Sequence, residues 1–174
     1  MRRIISAAIV LAFAGTLSAQ QPAEPTDEHK KLAEMAGTWD ATVIHPGGEI
    51  PPMKGAMVYK MEMGGLWLIG RFESEFMGVK FTGTDTTGYD PIKKKYVGTW
   101  VDSMSPTMMT SSGKFDKKTG MMVMKGTAGG PDGKIMQVKS TVEMKGKDEM
   151  VMKMYQVVDK EEKHMMSVEY KRKK

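Results

Sequence analysis

The chain has 174 residues, no cysteine, 20 methionines and a formal net charge of +5 at pH 7. Because no disulfide can form, the fold has to rest on a hydrophobic core, which a chain of this size is long enough to build. The positive charge is mild, gathers partly in the basic C-terminal tail and is not interleaved with aromatic residues, so composition argues against a nucleic-acid-binding protein.

Residues 1–19 have the pattern of a secretory signal peptide. Two arginines precede an apolar run, and Ala19 supplies the small residue of a cleavage site. The run is too short for a typical membrane span. We therefore expect an exported protein, periplasmic or extracellular, whose mature chain of about 155 residues begins near Gln20 and fits one domain.

One short helix is predicted after a polar leader at residues 20–26, which we expect to be mobile. Thr26 is a suitable N-cap, and acidic residues follow it in the first turn, where the helix dipole favours them. The pattern predicts a helix over about residues 27–35, with Gly37 ending it in a left-handed conformation.

The rest of the chain alternates between short runs and turn signals. Turns rich in glycine, proline and aspartate recur about every ten residues and separate runs typical of strands. Short connections favour an up-and-down order of strands. We expect residues 27–174 to form a single all-β domain, an antiparallel up-and-down barrel of about ten strands.

Methionine alternation supports strands in the C-terminal half. In the stretch "DEMVMKMYQVVD", Met150, Met152 and Met154 occupy every second position, so a strand would place all three on one face. By the same alternation, the last run places His164 and Arg172 on its apolar face, which we expect to point into the barrel.

Two features carry a resemblance to known barrels. The segment "AGTW" at residues 36–39 resembles the G-x-W start of calycin-type barrels, the lipocalin and fatty-acid-binding group. This resemblance implies that Trp39 closes one end of the barrel and that Arg172 lies across its indole ring.

A longer series resembles an uncharacterised family of exported bacterial proteins, a domain of unknown function among the calycin-like barrels. It consists of "LAEMAGTWD", "MGGLWLIGRFESEFMG", "FTGTDTTGYDPIKKKYVGTWVDS" and "GKFDKKTGMM" and spans about residues 28–172. The resemblance implies the fold and assigns no activity. A partial similarity to nitrobindin-like haem proteins, with His164 near the C-terminus, raises haem as an alternative cofactor, although the second glycine of their G-x-W-x-G motif is missing.

The methionines have three readings: core packing, the lining of an adaptable apolar pocket, or a copper site of thioether sulfurs. The sequence contains three histidines and no dense Met/His cluster, and its methionines spread over nearly every predicted strand. This spread favours core or lining over a metal site, and no cofactor is expected.

Several polar and aromatic residues are candidates for ligand binding. Arg71 shares a strand face with Trp67, opposite Phe72: an inward arginine could hold a ligand carboxylate, whereas an outward one would be solvated. Asp102 could orient a bound polar group or cap a turn. The ligand-binding candidates are Trp67, Arg71, Tyr89, Trp100, Asp102, Met152, Met154 and His164.

Three classes of function follow, of which the last is a haem- or copper-binding protein. The first is non-catalytic binding of a small apolar or amphipathic molecule inside the barrel. The second is an enzyme in the same cavity with Asp102, Tyr89 or His164 as acid or base, which requires at least two of them to converge. No nucleic-acid partner is expected, and oligomeric state is left open.

Overall fold

The computed structural model describes residues 23–76 and 78–174, so the predicted signal peptide lies outside the described residues. A short helix, a 3-10 turn at Met63–Gly65 and ten strands follow one another along this part of the chain. Their bounds are α1 Asp27–Ala33, β1 Gly37–Ile44, β2 Met53–Glu62, β3 Trp67–Phe76, β4 Val79–Asp90, β5 Lys95–Asp102, β6 Ser105–Phe115, β7 Met122–Gly129, β8 Ile135–Met144, β9 Glu149–Val158 and β10 Glu161–Arg172.

The strands form a closed antiparallel barrel in up-and-down order. Each strand pairs with its sequence neighbours, and β1 closes the sheet by pairing with β10, from Trp39 opposite Arg172 to Ile44 opposite Ser167. The predicted all-β barrel of about ten strands with one N-terminal helix is confirmed. Closure satisfies the backbone groups that an open sheet would leave at its edges.

The helix begins where the sequence predicts and ends earlier. Thr26 precedes its first turn, and the Thr26 backbone N–H donates to Nδ1 of His29 at 3.0 Å. The predicted role of Gly37 as helix terminator is wrong: the helix ends at Ala33, and Gly37 starts β1 with a φ of 141°. A Cβ atom at Gly37 would also collide with the Arg172 guanidinium, so glycine is needed there for close approach.

Alternation along the strands builds the core, as the two-residue period predicts. Trp39, Ala41 and Val43 of β1 are buried, whereas Thr38 and Asp40 are exposed. On the inner wall, methionine is the commonest large side chain, and its flexibility suits an irregular interior. Methionines of the core cluster or packed against it are Met35, Met53, Met57, Met61, Met122, Met124, Met144, Met150, Met152 and Met166.

One irregularity changes the direction of side chains in β10. The pairing with β9 shifts between His164 and Met166, so that His164 stands opposite Tyr155 while Met166 stands opposite Met154. The extra residue of this β-bulge reverses the inward–outward alternation on one side of it.

Within residues 23–76 and 78–174, no helix has both the length and the hydropathy needed to cross a lipid bilayer.

Candidate ligand site inside the barrel

The end of the barrel that carries the helix is closed by Trp39 and Arg172. Trp39 is fully buried and its Nε1–H donates to the carbonyl oxygen of Met35 at 3.0 Å. The Arg172 guanidinium carbon lies 4.0 Å from the centre of the indole ring. Its nitrogens donate to the carbonyl oxygens of Ala36 at 2.6 Å and Glu34 at 3.1 Å. This is the arrangement that the resemblance to calycin barrels implied, and it ties the last strand to the helix.

Aromatic side chains complete this closed end. The rings of Tyr89 and Tyr96 meet edge to face at 5.2 Å, and Tyr96 meets Phe115 at 5.3 Å. Tyr96 also donates its hydroxyl to the carbonyl oxygen of Glu28 in the helix, at 3.2 Å. Burial is the main reason that the pKa of Tyr96 rises to about 12. The phenol is therefore a protonated structural donor at neutral pH.

Toward the opposite end of the barrel, several inward side chains are only partly buried. Phe81 and Trp100 face inward beside Phe72, with ring centres 5.8 Å and 6.5 Å from it. Phe72 is buried, but Phe81, Trp100 and Met154 keep intermediate accessibility although they stand on the inner wall. Solvent therefore reaches a part of the inner wall that consists of aromatic rings and a thioether.

An aspartate lies on the inner wall at the junction of the two halves. Asp85 on β4 stands between Gly70 of β3 and Trp100 of β5, on the inward face shared with Phe81 and Tyr89. Burial raises the pKa of its carboxyl from 3.8 to about 7, although a hydrogen bond from Thr87 acts in the opposite direction. A carboxyl whose pKa is moved this far by desolvation marks a candidate functional site.

The hydrogen bonding of Asp85 is incomplete. The Thr87 hydroxyl lies 3.3 Å from both carboxylate oxygens, which is a long contact for an O–H donor. In the part of the chain that the structure describes, no lysine, arginine or histidine forms an ion pair with Asp85. An ionised carboxylate accepts several hydrogen bonds, so acceptor capacity remains unused.

Two tyrosines share this polar region. Burial raises the pKa of the Tyr59 phenol well above its ordinary value, and the neighbouring Tyr170 and Asp85 add to the effect. Burial, followed by the nearby Asp85 charge, also raises the pKa of Tyr170. Both phenols are protonated at neutral pH and can donate hydrogen bonds. Together with Asp85 and Thr87 they form what we call the interior polar site.

A glycine allows this arrangement. In the sheet Gly70 lies between Tyr59 on one side and Asp85 on the other. A methyl group at Gly70 would overlap the Tyr59 ring, so the missing side chain lets that ring lie across the strand toward Asp85.

The ligand-binding candidates from the sequence differ in position: some face the interior, Asp102 caps a turn, and others lie on the outer surface. Met152 and Met154 face the interior, as does Trp100. Asp102 caps the turn after β5: one carboxylate oxygen accepts the backbone N–H of Met104 and of Ser105, each at 2.9 Å. Its other oxygen accepts the Trp100 indole N–H at 2.9 Å, so Asp102 fixes the orientation of an inward ring.

Trp67 and Arg71 lie on the outer surface of the barrel. They alternate with the buried Leu68 and Phe72, whose side chains point inward. The Arg71 side chain is 63% exposed, and its Nη2 lies 3.9 Å from Oε1 of Glu62. The Trp67 ring covers Gly88 of the next strand. Arg71 is therefore solvated on the outer face. It does not point inward, where it could have held a ligand carboxylate.

The expectation that His164 faces inward is wrong, because the bulge in β10 turns it outward. Its ring lies 5.4 Å from Tyr155, and its Nε2 is 3.0 Å from the Ser167 hydroxyl. Tyr155 shares the outer face with Lys139, whose ammonium lies 5.5 Å from the Tyr155 ring centre. From this position His164 does not reach a haem or metal held inside the barrel.

The proposed acid and base residues do not converge. Tyr89 lies at the closed end, where it pairs with Tyr96, while Asp102 pairs with Gly83 near the other end. At about 3.3 Å per residue, these positions are about 20 Å apart along the strands. His164 is outside the barrel, so no two of the three meet. Among the described residues there is also no group of three or more His, Cys, Asp or Glu that could hold a metal ion.

Comparison with protein families matches residues 24–172 to the family described as protein of unknown function DUF1579. The chain belongs to the DUF1579 family. Among solved structures, it is similar to the S-type phycobiliprotein lyase CPES from Guillardia theta, with a TM-score of 0.55 and 8% identity over 84% of this chain and 93% of that chain. At this identity the similarity shows the calycin-like fold alone. No curated protein matches the chain.

Sequence reasoning missed Asp85, the most perturbed carboxyl of this DUF1579 barrel. The signal was present in "FTGTDTTGY", where Phe81, Gly83, Asp85, Thr87 and Tyr89 alternate along one strand face. Because Phe81 and Tyr89 are large and apolar, the same two-residue period that located the methionines assigns Asp85 to the inner face. The surrounding threonines and glycines give this stretch the composition of a solvated segment and conceal the pattern.

Proposed function

We propose that this DUF1579 protein is an exported, non-catalytic binding protein that holds a small apolar or amphipathic molecule inside its barrel. The observation that carries the proposal is the accessible inner wall near the end opposite the helix, where the inward Phe81, Trp100 and Met154 are only partly buried. A concave apolar wall with a few convergent polar groups is typical of small-molecule sites.

The rim of the same half supports access for an apolar ligand. In the described part of the chain, five of the nine exposed large apolar residues lie at this end, whereas Met63 and Ile92 lie at the closed end and Val101 and Met108 on the outer face. These residues, with their exposed fractions, are Ile135 (78%), Val79 (56%), Met104 (52%), Val158 (50%) and Ile50 (41%). An apolar molecule that approaches this end meets compatible surface before it reaches the interior.

Binding is favoured over catalysis by the placement of the reactive groups. The acid and base candidates of the sequence are separated. In the part of the chain that the structure describes, Asp85 has hydroxyl groups around it but neither a nucleophile–base pair nor a histidine. Acid–base catalysis requires partners within hydrogen-bonding reach of one reacting group.

Native mass spectrometry of the protein purified from its own host tests the proposal. We expect an additional mass that denaturation releases as an organic molecule, and a mature chain that starts near Gln20 in an exported fraction. A matched pair of variants locates the molecule: Ser140→Phe fills the inner wall opposite Met154, whereas Thr141→Phe adds the same ring outside. The first should lower occupancy and the second should not.

Equal occupancy in both variants would contradict an interior site. A protein that carries nothing and takes up no apolar fluorescent probe would contradict binding altogether. Retained copper, or a visible haem absorbance band, would contradict an organic ligand and favour the metal alternatives.

A further inference from the structure

We propose that the interior polar site, formed by Asp85, Thr87, Tyr59 and Tyr170, recognises a protonated amine on the head of an amphipathic ligand. The inference rests on the proposed binding function and deepens it, because it names the chemical class of the ligand. It depends on the position of the carboxylate, the protonation of its neighbours and the lack of a cationic side chain around it in the described part of the chain.

The position of Asp85 suits a ligand head group. It lies on the inner wall between the partly buried Phe81 and Trp100 and the packed closed end, opposite Gly70, over which the Tyr59 ring lies. A molecule whose apolar tail lies against Phe81 and Trp100 would therefore bring its inner end to this carboxylate.

The Asp85 carboxylate can accept more hydrogen bonds than it receives. In residues 23–76 and 78–174, one hydroxyl, that of Thr87, contacts Asp85, at 3.3 Å to each carboxylate oxygen. An ammonium group offers three donors and no acceptor, so it matches the unused acceptor capacity of a carboxylate. The Tyr59 and Tyr170 hydroxyls, besides donating, carry lone pairs that could accept from the same ammonium.

The charge of the site selects against anions. Among the residues that the structure describes, the groups around Asp85 are Gly70 and Trp100 on the adjacent strands, Thr87 on its own strand, Tyr59 on β2 and Tyr170 on β10, and none of these is cationic. The arginine that could have held a carboxylate, Arg71, stands on the outer surface. When Asp85 is ionised, its unpaired negative charge in a low-dielectric interior attracts a cation and repels a fatty-acid carboxylate.

Three chain-matched probes test the inference: octylamine, octanol and octanoate, titrated into the mature protein near neutral pH and followed by calorimetry. We expect octylamine to bind at least about tenfold more tightly than octanol, since truncating one partner of a buried charge pair costs about that much or more. Octanoate should bind more weakly than octanol.

Three variants identify the group responsible. Asp85→Asn keeps the shape of the side chain and removes its charge, so the preference for octylamine over octanol should disappear while octanol affinity is retained. Tyr59→Phe removes a neighbouring acceptor and should weaken octylamine binding by a smaller factor. Glu73→Gln, an exposed carboxylate on the outer face of β3, is the matched control and should change neither affinity.

The outcomes separate this inference from the function on which it rests. If the wild-type protein binds all three probes equally and Asp85→Asn changes nothing, amine recognition is contradicted while apolar binding stands. If none of the probes binds, both proposals are contradicted. If Asp85→Asn does not fold, an octylamine preference that Tyr59→Phe leaves unchanged would still contradict the polar site.

Discussion

Replacing Asp85 with asparagine should make the protein more stable at and above neutral pH. In the folded protein, burial raises the pKa of this carboxyl from 3.8 to about 7. At pH values between these two pKa values, the Asp85 carboxyl is more fully protonated in the folded protein than in the unfolded chain. The free energy of unfolding therefore falls as the pH rises through this interval and becomes level above about pH 7.

The magnitude follows from the size of the change in pKa. One pKa unit corresponds to about 1.4 kcal/mol, so an increase from 3.8 to about 7 corresponds to about 4 kcal/mol. Asp85 keeps intermediate accessibility, and water in the adjacent space would solvate part of the charge. We therefore expect about 2–4 kcal/mol for the pH-dependent difference between wild type and Asp85→Asn.

Urea unfolding followed by tryptophan fluorescence measures this difference from about pH 4.5 to 8.5. Carboxyls with lowered pKa, such as those of Asp27 and Asp90, titrate identically in both proteins, and their contributions cancel. The advantage of Asp85→Asn should grow as the pH rises and then level off, whereas Glu73→Gln should run parallel to wild type. Parallel curves for Asp85→Asn and wild type would refute the assignment of a buried, unpaired carboxyl.

Three further outcomes test the fold and the site. Arg172→Ala removes the cation–π contact with Trp39 and the hydrogen bonds to carbonyl oxygens after the helix. In urea unfolding it should lower the free energy of unfolding by about 2–4 kcal/mol. The exposed control Lys171→Ala should leave that free energy almost unchanged. Gly70→Ala places a methyl group against the Tyr59 ring and should cost about 1–3 kcal/mol, measured in the same way; a neutral result would show that the ring is not held across the strand. His164→Ala should leave octylamine affinity unchanged in calorimetry, and a marked loss would contradict its outward position.

The architecture could be predicted because it depends on features that repeat along the chain. Turn residues about every ten positions and a two-residue apolar period are local signals, and they determine strand number and the inward face. Closure by Trp39 and Arg172 followed from the resemblance to calycin barrels. Because the side-chain period is two, one buried residue such as Phe72 is enough to place Arg71 on the opposite face.

The errors arose where a single residue interrupts the pattern. The bulge in β10 adds one residue between His164 and Met166. The residue types at this point do not reveal a bulge. Alternation counted from Arg172 therefore assigns His164 to the wrong face. Gly37 was interpreted as a helix end because glycine is common there, whereas its function is to leave room for Arg172. Asp85 was missed because tertiary desolvation, which no local pattern reports, gives it its chemical character.

The most direct test of an interior acid that binds an amine is a measurement of the Asp85 pKa by ¹³C NMR. The carboxyl resonance is followed during pH titrations without and with saturating octylamine. We expect a pKa of about 7 without the amine. With it, the pKa should fall by at least about one unit, because a bound ammonium favours the ionised carboxylate. A pKa that octylamine leaves unchanged, or one near 3.8 from the start, would contradict the account.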